Sequence, residues 1–333
     1  MVRLVLTFLL TAQSITVLAG GLIEIDESNI TKSIPNDAWA VLEKSAYAAR
    51  ALNYEGQFIY VNGQNSRTID IKHMNYGGRE VARNIVLDAN QREVYSEGEN
   101  VVILQPTTTN VVIKKRHGKN LFPAMLPTNL ALIKENYSAK LVGTDFIAER
   151  EANVIELTPS DDFRYRYKVW SDAKFGLMLK MALVNEKNKT LEQVYFNKIS
   201  MLNSQNNPNW FEPKIDMSKD YVTEAEPVIT RVANDEIVTT DLPAGYQKVD
   251  HIQRVVNSEG IKVDQLIFSD GIGSVSLFIE PVVKGKRPKK GHMLMGSTNV
   301  CANVVDGHQI IVVGEVPEKT VKSIAKAVSF KSN

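Results

Sequence analysis

The chain has 333 residues, 44% of them hydrophobic and 23% charged, a composition that excludes a disordered chain and a multi-span membrane protein. Its 39 Lys and Arg residues balance 38 Asp and Glu residues, so net charge gives no argument for nucleic-acid binding. Cys301 is the single cysteine and excludes a disulfide within the chain. Stability must therefore come from buried area, which is feasible at this length.

The amino-terminal segment is typical of an export signal. Arg3 precedes an uncharged apolar run at residues 4–19, and Ala19 and Gly20 are small, as a cleavage site requires. A single membrane anchor is the alternative, because the run approaches the lower length of a membrane span. Several Thr, Ser and Gln residues within the run favour a cleaved signal peptide at residues 1–19, and hence an exported protein.

Helical spacing marks residues 37–52, where Asp37 can cap the first turn. The stripe of apolar residues at spacings of three and four consists of Trp39, Leu42, Ala46 and Ala49. Short strands are predicted from there to residue 114, with Asn-Gly and Gly-Gly dipeptides at the tight turns. Residues 121–136 contain two prolines and an apolar cluster, and are predicted to form broken helical turns across the sheet.

Residues 161–198 are predicted to form an antiparallel meander of three strands. In the first run, residues 163–170, aromatic and charged side chains alternate, which places Arg164 on the face opposite Tyr165. The second run, residues 177–184, is apolar on both faces apart from Lys180. Because such a strand cannot leave either face in water, a helix, a second sheet or a ligand must cover the second face.

A linker is predicted at residues 206–230, where prolines fall among polar residues without periodicity. It separates a first domain at residues 20–205 from a second at residues 231–333. The second domain is predicted to be a small antiparallel sheet with a terminal helix. The apolar stripe of that helix consists of Val321, Ile324, Ala325 and Val328. The fold class is therefore α+β, mostly antiparallel β.

No catalytic or metal-binding constellation is evident, and neither enzymatic activity nor a cofactor is predicted. The five histidines are scattered, and a second cysteine for a zinc site does not exist. Two basic clusters, at residues 114–119 and 284–290, could contact an acidic partner or lipid phosphates. Solvated loops are the favoured alternative for both, because charge runs usually stay in water. Without interleaved aromatic residues, neither cluster suits single-stranded nucleic acid.

Several segments, in order along both domains, resemble the MucB/RseB family of periplasmic regulators of the envelope-stress response. These segments are LNYEG at 52–56, REVY at 92–95, FRYRYKVW at 163–170, LPAGY at 242–246, FSDGIGSVSLFIE at 268–280 and VDGHQIIVVGEVP at 305–317. The resemblance implies a first domain like that of lipoprotein carriers, an unclosed antiparallel barrel with helices plugging its concave side. It also implies binding to the periplasmic part of a membrane-spanning anti-sigma factor, protection of that factor from proteolysis, and release by lipopolysaccharide or lipoprotein acyl chains.

The resemblance leads to two sets of candidate residues. The expected lipid cavity is lined by alternate residues of the meander and by the segment before it: Met125, Leu126, Tyr165, Tyr167, Leu179 and Met181. Ordinary core packing is the alternative for each of them. The expected partner surface lies in the second domain, around Gly271, Val275 and Phe278. A periplasmic lipid or lipoprotein carrier, with the cavity as its working part, is the alternative function, and a homo-oligomer is left open.

Overall fold

The computed structural model describes most of the chain from Asp37 to Lys331. The described ranges are 37–76, 78–88, 92–97, 100–106, 110–117, 121–203, 220–223, 229–231, 237–256, 261–283, 285 and 287–331. The predicted signal peptide, residues 1–19, precedes the first of these ranges.

A large antiparallel sheet forms the first unit. Its strands are β1 (Tyr54–Asn62), β2 (Asn65–Tyr76), β3 (Arg79–Val86), β4 (Arg92–Glu97), β5 (Asn100–Pro106), β6 (Asn110–His117), β7 (Tyr137–Ile147), β8 (Arg150–Pro159), β9 (Arg166–Asp172), β10 (Met178–Val184), β11 (Thr190–Met201) and β12 (Asp220–Thr223). They are ordered β12-β6-β5-β4-β3-β2-β1-β11-β10-β9-β8-β7, so the sheet is open, with β12 and β7 at its edges. Only β12 and β6 pair in parallel among these strands.

A smaller sheet forms the second unit. Its strands are β13 (Ile229–Arg231), β15 (Gln247–Val256), β16 (Ile261–Ser269), β17 (Ser274–Pro281), β18 (Gly291–Met295), β19 (Thr298–Val305) and β20 (His308–Gly314). Their order is β13-β15-β16-β17-β20-β19-β18, which leaves β13 and β18 at the edges. A separate antiparallel pair joins β14 (Ile237–Thr239) to β21 (Val328–Phe330).

Three helices lie within the described ranges: α1 (Ala38–Ala51), α2 (Ala131–Asn136) and α3 (Glu318–Lys326). Asp37 caps α1 as its sequence predicts, since its carboxylate accepts a hydrogen bond from the Trp39 amide at 3.0 Å. The apolar stripe of α1 is buried in the core of the first sheet, and that of α3 in the core of the second. None of the described helices is both long and apolar enough to span a membrane.

The predicted meander is confirmed, because β9, β10 and β11 pair consecutively and antiparallel. Its first strand begins only at Arg166, so the predicted alternation does not extend to residues 163–165. Arg164 therefore precedes the strand, and its side chain is buried. Burial is possible because a second-unit carboxylate reaches the guanidinium, which the local pattern does not encode.

The closing helix is shorter than its apolar stripe predicts. The Ala327 amide closes the last turn of α3 on the carbonyls of Ser323 and Ile324. Val328 then pairs with Thr239 as a strand, so its assignment to the helix is wrong. Val328 packs into the core from a strand, and it lies at the spacing at which the next apolar residue of a helix would lie. Apolar spacing alone therefore does not distinguish the two structures.

The boundary predicted at residues 206–230 stays a prediction. Two parts of that segment are described, and they belong to different sheets: residues 220–223 pair with β6, and residues 229–231 pair with β15. The segment is therefore attached to the first sheet before it reaches the second.

Candidate functional site at the joint between the two sheets

The six cavity candidates lie on or beside the covered face of the meander. Leu126, Leu179, Met181 and Tyr167 belong to the buried core of the first unit. Met125 and Tyr165 are half-buried at its border. Leu179 is completely inaccessible and Leu126 is 1% exposed, so these two side chains pack against protein in this conformation. The covering material is the chain itself, chiefly α1 and residues 121–130.

A cavity of about 120 Å³ lies where the meander meets the second sheet. Three of the candidates, Met125, Tyr167 and Met181, line it. The second unit contributes the loop at residues 272–274 and Glu315. Tyr167, Leu183 and Glu192 share one cross-strand row of the meander, which explains why they meet at one wall. The cavity therefore joins the expected lipid-contacting strands to the loop beside the expected partner surface.

Glu192 is the polar anchor of this cavity. Its carboxylate accepts hydrogen bonds from Ser297 Oγ at 2.7 Å and from Asn62 Nδ2 at 3.3 Å. Ser297 is fully buried and belongs to the turn between β18 and β19, so this contact spans the two units. Burial raises the pKa of Glu192, the hydrogen bond from Ser297 opposes that rise, and the nearby charge of Glu315 adds to it.

The raised pKa of Glu192 gives a pH-dependent contribution to stability. A carboxyl group with a raised folded-state pKa stabilises the fold below its unfolded pKa, and this contribution is lost as pH rises through the folded value. Replacing Glu192 by Gln should therefore improve stability relative to the wild type more at pH 7 than at pH 4. Urea midpoints at the two pH values test this, and an equal difference at both would contradict it. Glu315→Gln should reduce the pH dependence, because it removes the neighbouring charge.

A buried ion pair holds the two units together beside the cavity. Arg164 Nε lies 3.0 Å from Asp270 Oδ2, and the two side chains are 0% and 1% exposed. Asp270 Oδ2 also accepts from the Tyr137 hydroxyl at 3.0 Å, and its Oδ1 accepts from the Gly273 amide at 2.8 Å. Every oxygen of the carboxylate is thus satisfied, which is the condition under which a charge tolerates burial.

The segment before β9 inserts its backbone and side chains into the second unit. The Phe163 carbonyl accepts hydrogen bonds from Thr320 Oγ1 at 2.7 Å and from the Tyr246 hydroxyl at 3.2 Å. The Arg164 guanidinium lies 4.8 Å from the centre of the Tyr246 ring and donates to the Ala244 carbonyl. Charge, stacking and backbone hydrogen bonds therefore act on one short segment, which makes this joint a specific contact.

The three expected partner-contacting residues do not share one surface. Val275 is fully buried in the core of the second sheet. Gly271 packs against the first unit, since a Cβ atom there would lie 2.8 Å from Ile133 Cγ1. Phe278 alternates with the core residues of β17, and its side chain is only partly buried. Of the three, only Phe278 offers side-chain surface to a partner in this conformation.

Comparison with known proteins covers both units. The model of the MucB/RseB N-terminal domain matches residues 37–218, and that of the MucB/RseB C-terminal domain matches residues 232–329. The chain belongs to the MucB/RseB family. It is 25% identical to the sigma-E factor regulatory protein RseB of Haemophilus influenzae, over 96% of this chain and 98% of the relative. It is 28% identical to the sigma factor AlgU regulatory protein MucB of Pseudomonas aeruginosa, over 88% and 90% of the two chains.

The fold agrees with that of solved MucB structures. The complex of Pseudomonas aeruginosa MucA and MucB superposes with a TM-score of 0.71, at 24% identity, over 89% of this chain and all of the matched chain. A crystal structure of MucB in complex with the periplasmic MucA segment gives a TM-score of 0.69 over the same share. The two-sheet architecture described above is therefore the architecture of the MucB/RseB family.

Three segments that carry the MucB/RseB resemblance meet at the joint. FRYRYKVW supplies Arg164, LPAGY supplies Gly245 and Tyr246, and FSDGIGSVSLFIE supplies Asp270. The roles of Arg164, Asp270 and Glu192 were absent from the sequence-based candidates. The alternating pattern places Arg164 opposite Tyr165, but whether that face is buried depends on the packing of the two sheets against each other. Across the described ranges, no group of three or more His, Cys, Asp or Glu side chains could hold a metal ion.

Proposed function

We propose that this chain is a periplasmic regulator that binds the periplasmic part of a membrane-spanning anti-sigma factor and protects it from proteolysis. The observation that carries the proposal is the match of both MucB/RseB domain models, in order, along the chain. Relatives over nearly the same length are named as sigma factor regulatory proteins, which supports regulation and not catalysis. The solved complexes of MucB with MucA support an anti-sigma factor as the partner.

The first unit, in this proposal, is a half-open barrel whose concave face is plugged by helical segments. The open twelve-stranded sheet supports this architecture, as do α1 and residues 121–136, whose apolar side chains pack into its core. The plug covers most of that face, and the cavity of about 120 Å³ at the joint is too small for an acyl chain. A lipid must therefore displace part of the plug or separate the two units.

We further propose that an acyl chain enters at the joint and releases the anti-sigma factor. The cavity of about 120 Å³ is smaller than the roughly 300 Å³ typical of a small-ligand site. An acyl chain therefore binds only after Met125 or the second unit moves, and the bound acyl chain stabilises the moved conformation. A ligand shifts such an equilibrium by its difference in affinity for the two conformations. Glu192 and Glu315 at the cavity wall disfavour an anionic group there, so the apolar tail enters first.

Direct titration tests the proposed partner. The mature chain, without residues 1–19, is titrated with the recombinant periplasmic part of the anti-sigma factor from the same organism. Micromolar or tighter binding is expected in calorimetry, together with slower digestion of the factor by the protease that starts its degradation. No heat and unchanged digestion would overturn the proposal. Binding of an acylated lipid without any binding of the factor would favour the carrier function.

Met125 provides a test of lipid release. Met125→Glu places a third carboxylate beside Glu192 and Glu315, so entry of an acyl chain should become unfavourable. The variant is expected to bind the anti-sigma factor as the wild type does, while the lipopolysaccharide concentration that releases half of the factor rises at least tenfold. Met125→Leu keeps an apolar wall and should release normally. Equal release by Met125→Glu and the wild type would exclude entry at this cavity.

A further inference from the structure

The edge strand β18 of the second sheet exposes three consecutive large apolar side chains. Met293, Leu294 and Met295 are 53%, 60% and 52% exposed. Successive residues of a strand point to opposite faces, so this edge is apolar on both sides. No other strand in the described part of the chain has such a run. Exposed apolar edges with free backbone groups are templates for pairing, and soluble proteins usually cover or charge them.

A basic loop leads directly into this edge. Arg287, Lys289 and Lys290 are exposed, and none of the three forms an ion pair with a described residue. The loop is held in place by Gln309, whose amide accepts from the Lys289 amide at 2.7 Å and donates to the Lys289 carbonyl at 2.9 Å. The backbone of Lys289 is therefore fixed just before β18, so the three cations are attached next to the start of the strand.

The other end of β18 is held equally firmly. The turn after it places Ser297 against Glu192 and Asn62 of the first unit, and the Ser297 amide donates to Asn62 Oδ1 at 3.1 Å. Within β18, His292 Nε2 lies 2.7 Å from Asn299 Oδ1 on the neighbouring strand β19. A strand fixed at both ends loses little conformational entropy when a partner pairs with it, which favours binding.

We propose that an extended, acidic segment of the anti-sigma factor's periplasmic part adds to β18 as an eighth strand of the second sheet. The inference rests on the proposed function and names the surface at which it operates. Strand addition satisfies the free backbone groups of the edge and places apolar side chains of the partner beside those of β18 on both faces. Carboxylates at one end of the added strand would meet Arg287, Lys289 and Lys290.

Two other occupants fit the edge less well. A lipid bilayer matches the cations, but hydrocarbon offers no partner to the free amide and carbonyl groups of an open sheet edge. A second copy of the chain supplies backbone groups, but its own β18 has the sequence GHMLM and presents no carboxylate to the cations. An acidic peptide supplies both the backbone hydrogen-bonding groups that the edge needs and the carboxylates that the cations need.

The position of the edge also connects binding to release. The turn that ends β18 is supported by Glu192, which lines the cavity at the joint. A ligand that parts Glu192 from Ser297 removes that support and leaves the hairpin of β18 and β19 less fixed. Partner affinity at β18 should then fall, although the ligand never touches the partner.

Edge variants of the mature chain test the surface. Binding of the fluorescently labelled periplasmic part of the anti-sigma factor is measured by anisotropy. Leu294→Lys and the double variant Lys289→Glu/Lys290→Glu should each weaken binding at least tenfold. The matched control is Phe146→Lys, which places a lysine on β7, the edge of the other sheet, at a side chain that is 69% exposed. All of these positions are exposed, so folding should be retained, and circular dichroism checks it.

Backbone methylation tests strand addition itself. Overlapping peptides of the factor locate the bound segment, which should contain acidic residues beside an apolar run. Methylation of single backbone amides along that peptide should abolish and preserve binding alternately, because every second amide of a strand faces the edge. A pattern without this period of two would overturn the proposal.

The outcomes separate the two proposals. If the wild type binds and the edge variants bind equally well, strand addition at β18 is wrong while the proposed function stands. If the wild type does not bind the anti-sigma factor, the proposed function is wrong, and the proposed occupant of β18 is wrong as well. Two further results would overturn the inference in favour of other occupants. The first is a dimer of the wild type, measured by sedimentation, that the Leu294→Lys variant no longer forms. The second is flotation of the wild type with phosphatidylglycerol vesicles that the edge variants lose, while their binding of the peptide is unchanged.

Discussion

Replacing Arg164 by Met is expected to lower the free energy of unfolding by about 3–5 kcal/mol, the range for removing one partner of a buried ion pair. The change leaves the Asp270 carboxylate, which is 1% exposed, without its counter-charge. It also removes the donor to the Ala244 carbonyl and the cation over the Tyr246 ring. Because these contacts join the two units, we expect the Arg164→Met variant to unfold in two transitions, one for each unit. Urea denaturation and calorimetry measure this.

An exposed ion pair provides the control for this prediction. Arg79 pairs with Glu97 at a site where the two side chains are 70% and 51% exposed. Arg79→Met should cost at most about 1 kcal/mol, because water already solvates both charges. The double variant Arg164→Met/Asp270→Asn should recover part of the lost stability, because the second change removes the uncompensated charge. A cost below 1 kcal/mol for Arg164→Met would show that the pair does not hold the joint.

The contrast between the meander and this ion pair shows how far the sequence predicts the structure. Period-two alternation and turn residues are local, and they predicted the three strands of the meander and the need for a cover on the second face of β10. The burial of Arg164 depends on Asp270, which is 106 residues away. No local pattern in either segment spans that separation, so alternation alone cannot predict that Arg164 is buried.

The cavity candidates illustrate a second limit. The apolar runs predict that the second face of the meander is covered, but periodicity cannot distinguish a bound lipid from the chain's own helical segments as the cover. Met125, Tyr167 and Met181 lie at the cavity, while Leu126 and Leu179 pack into the core. Whether any of them contacts an acyl chain stays a prediction. The edge strand β18 was missed because GHMLM is short and shows no alternation of apolar and polar residues.

Gly245→Ala is expected to be among the most damaging single-methyl changes in the chain, costing about 2–5 kcal/mol. Gly245 has a φ of +78°, a conformation that costs a residue with a Cβ atom about 1–2 kcal/mol. The added methyl would also overlap the Asn136 side-chain amide and lie 2.7 Å from Arg164 Nη2. Overpacking of this kind costs about 1–3 kcal/mol more. Neither neighbour can retreat easily, because Asn136 donates to the Leu132 carbonyl at 2.8 Å and Arg164 is held by Asp270.

Gly307→Ala separates the two contributions. Gly307 has a φ of +75°, nearly that of Gly245, and a Cβ atom there would meet nothing within 4 Å. Its substitution should therefore cost only the backbone strain, and the difference in urea midpoint between the two variants measures the overlap at the joint. Equal costs would mean that Asn136 and Arg164 adjust freely and that the joint is loosely packed. A larger cost for Gly245→Ala would instead indicate a joint so closely packed that a ligand entering the cavity must move one unit relative to the other.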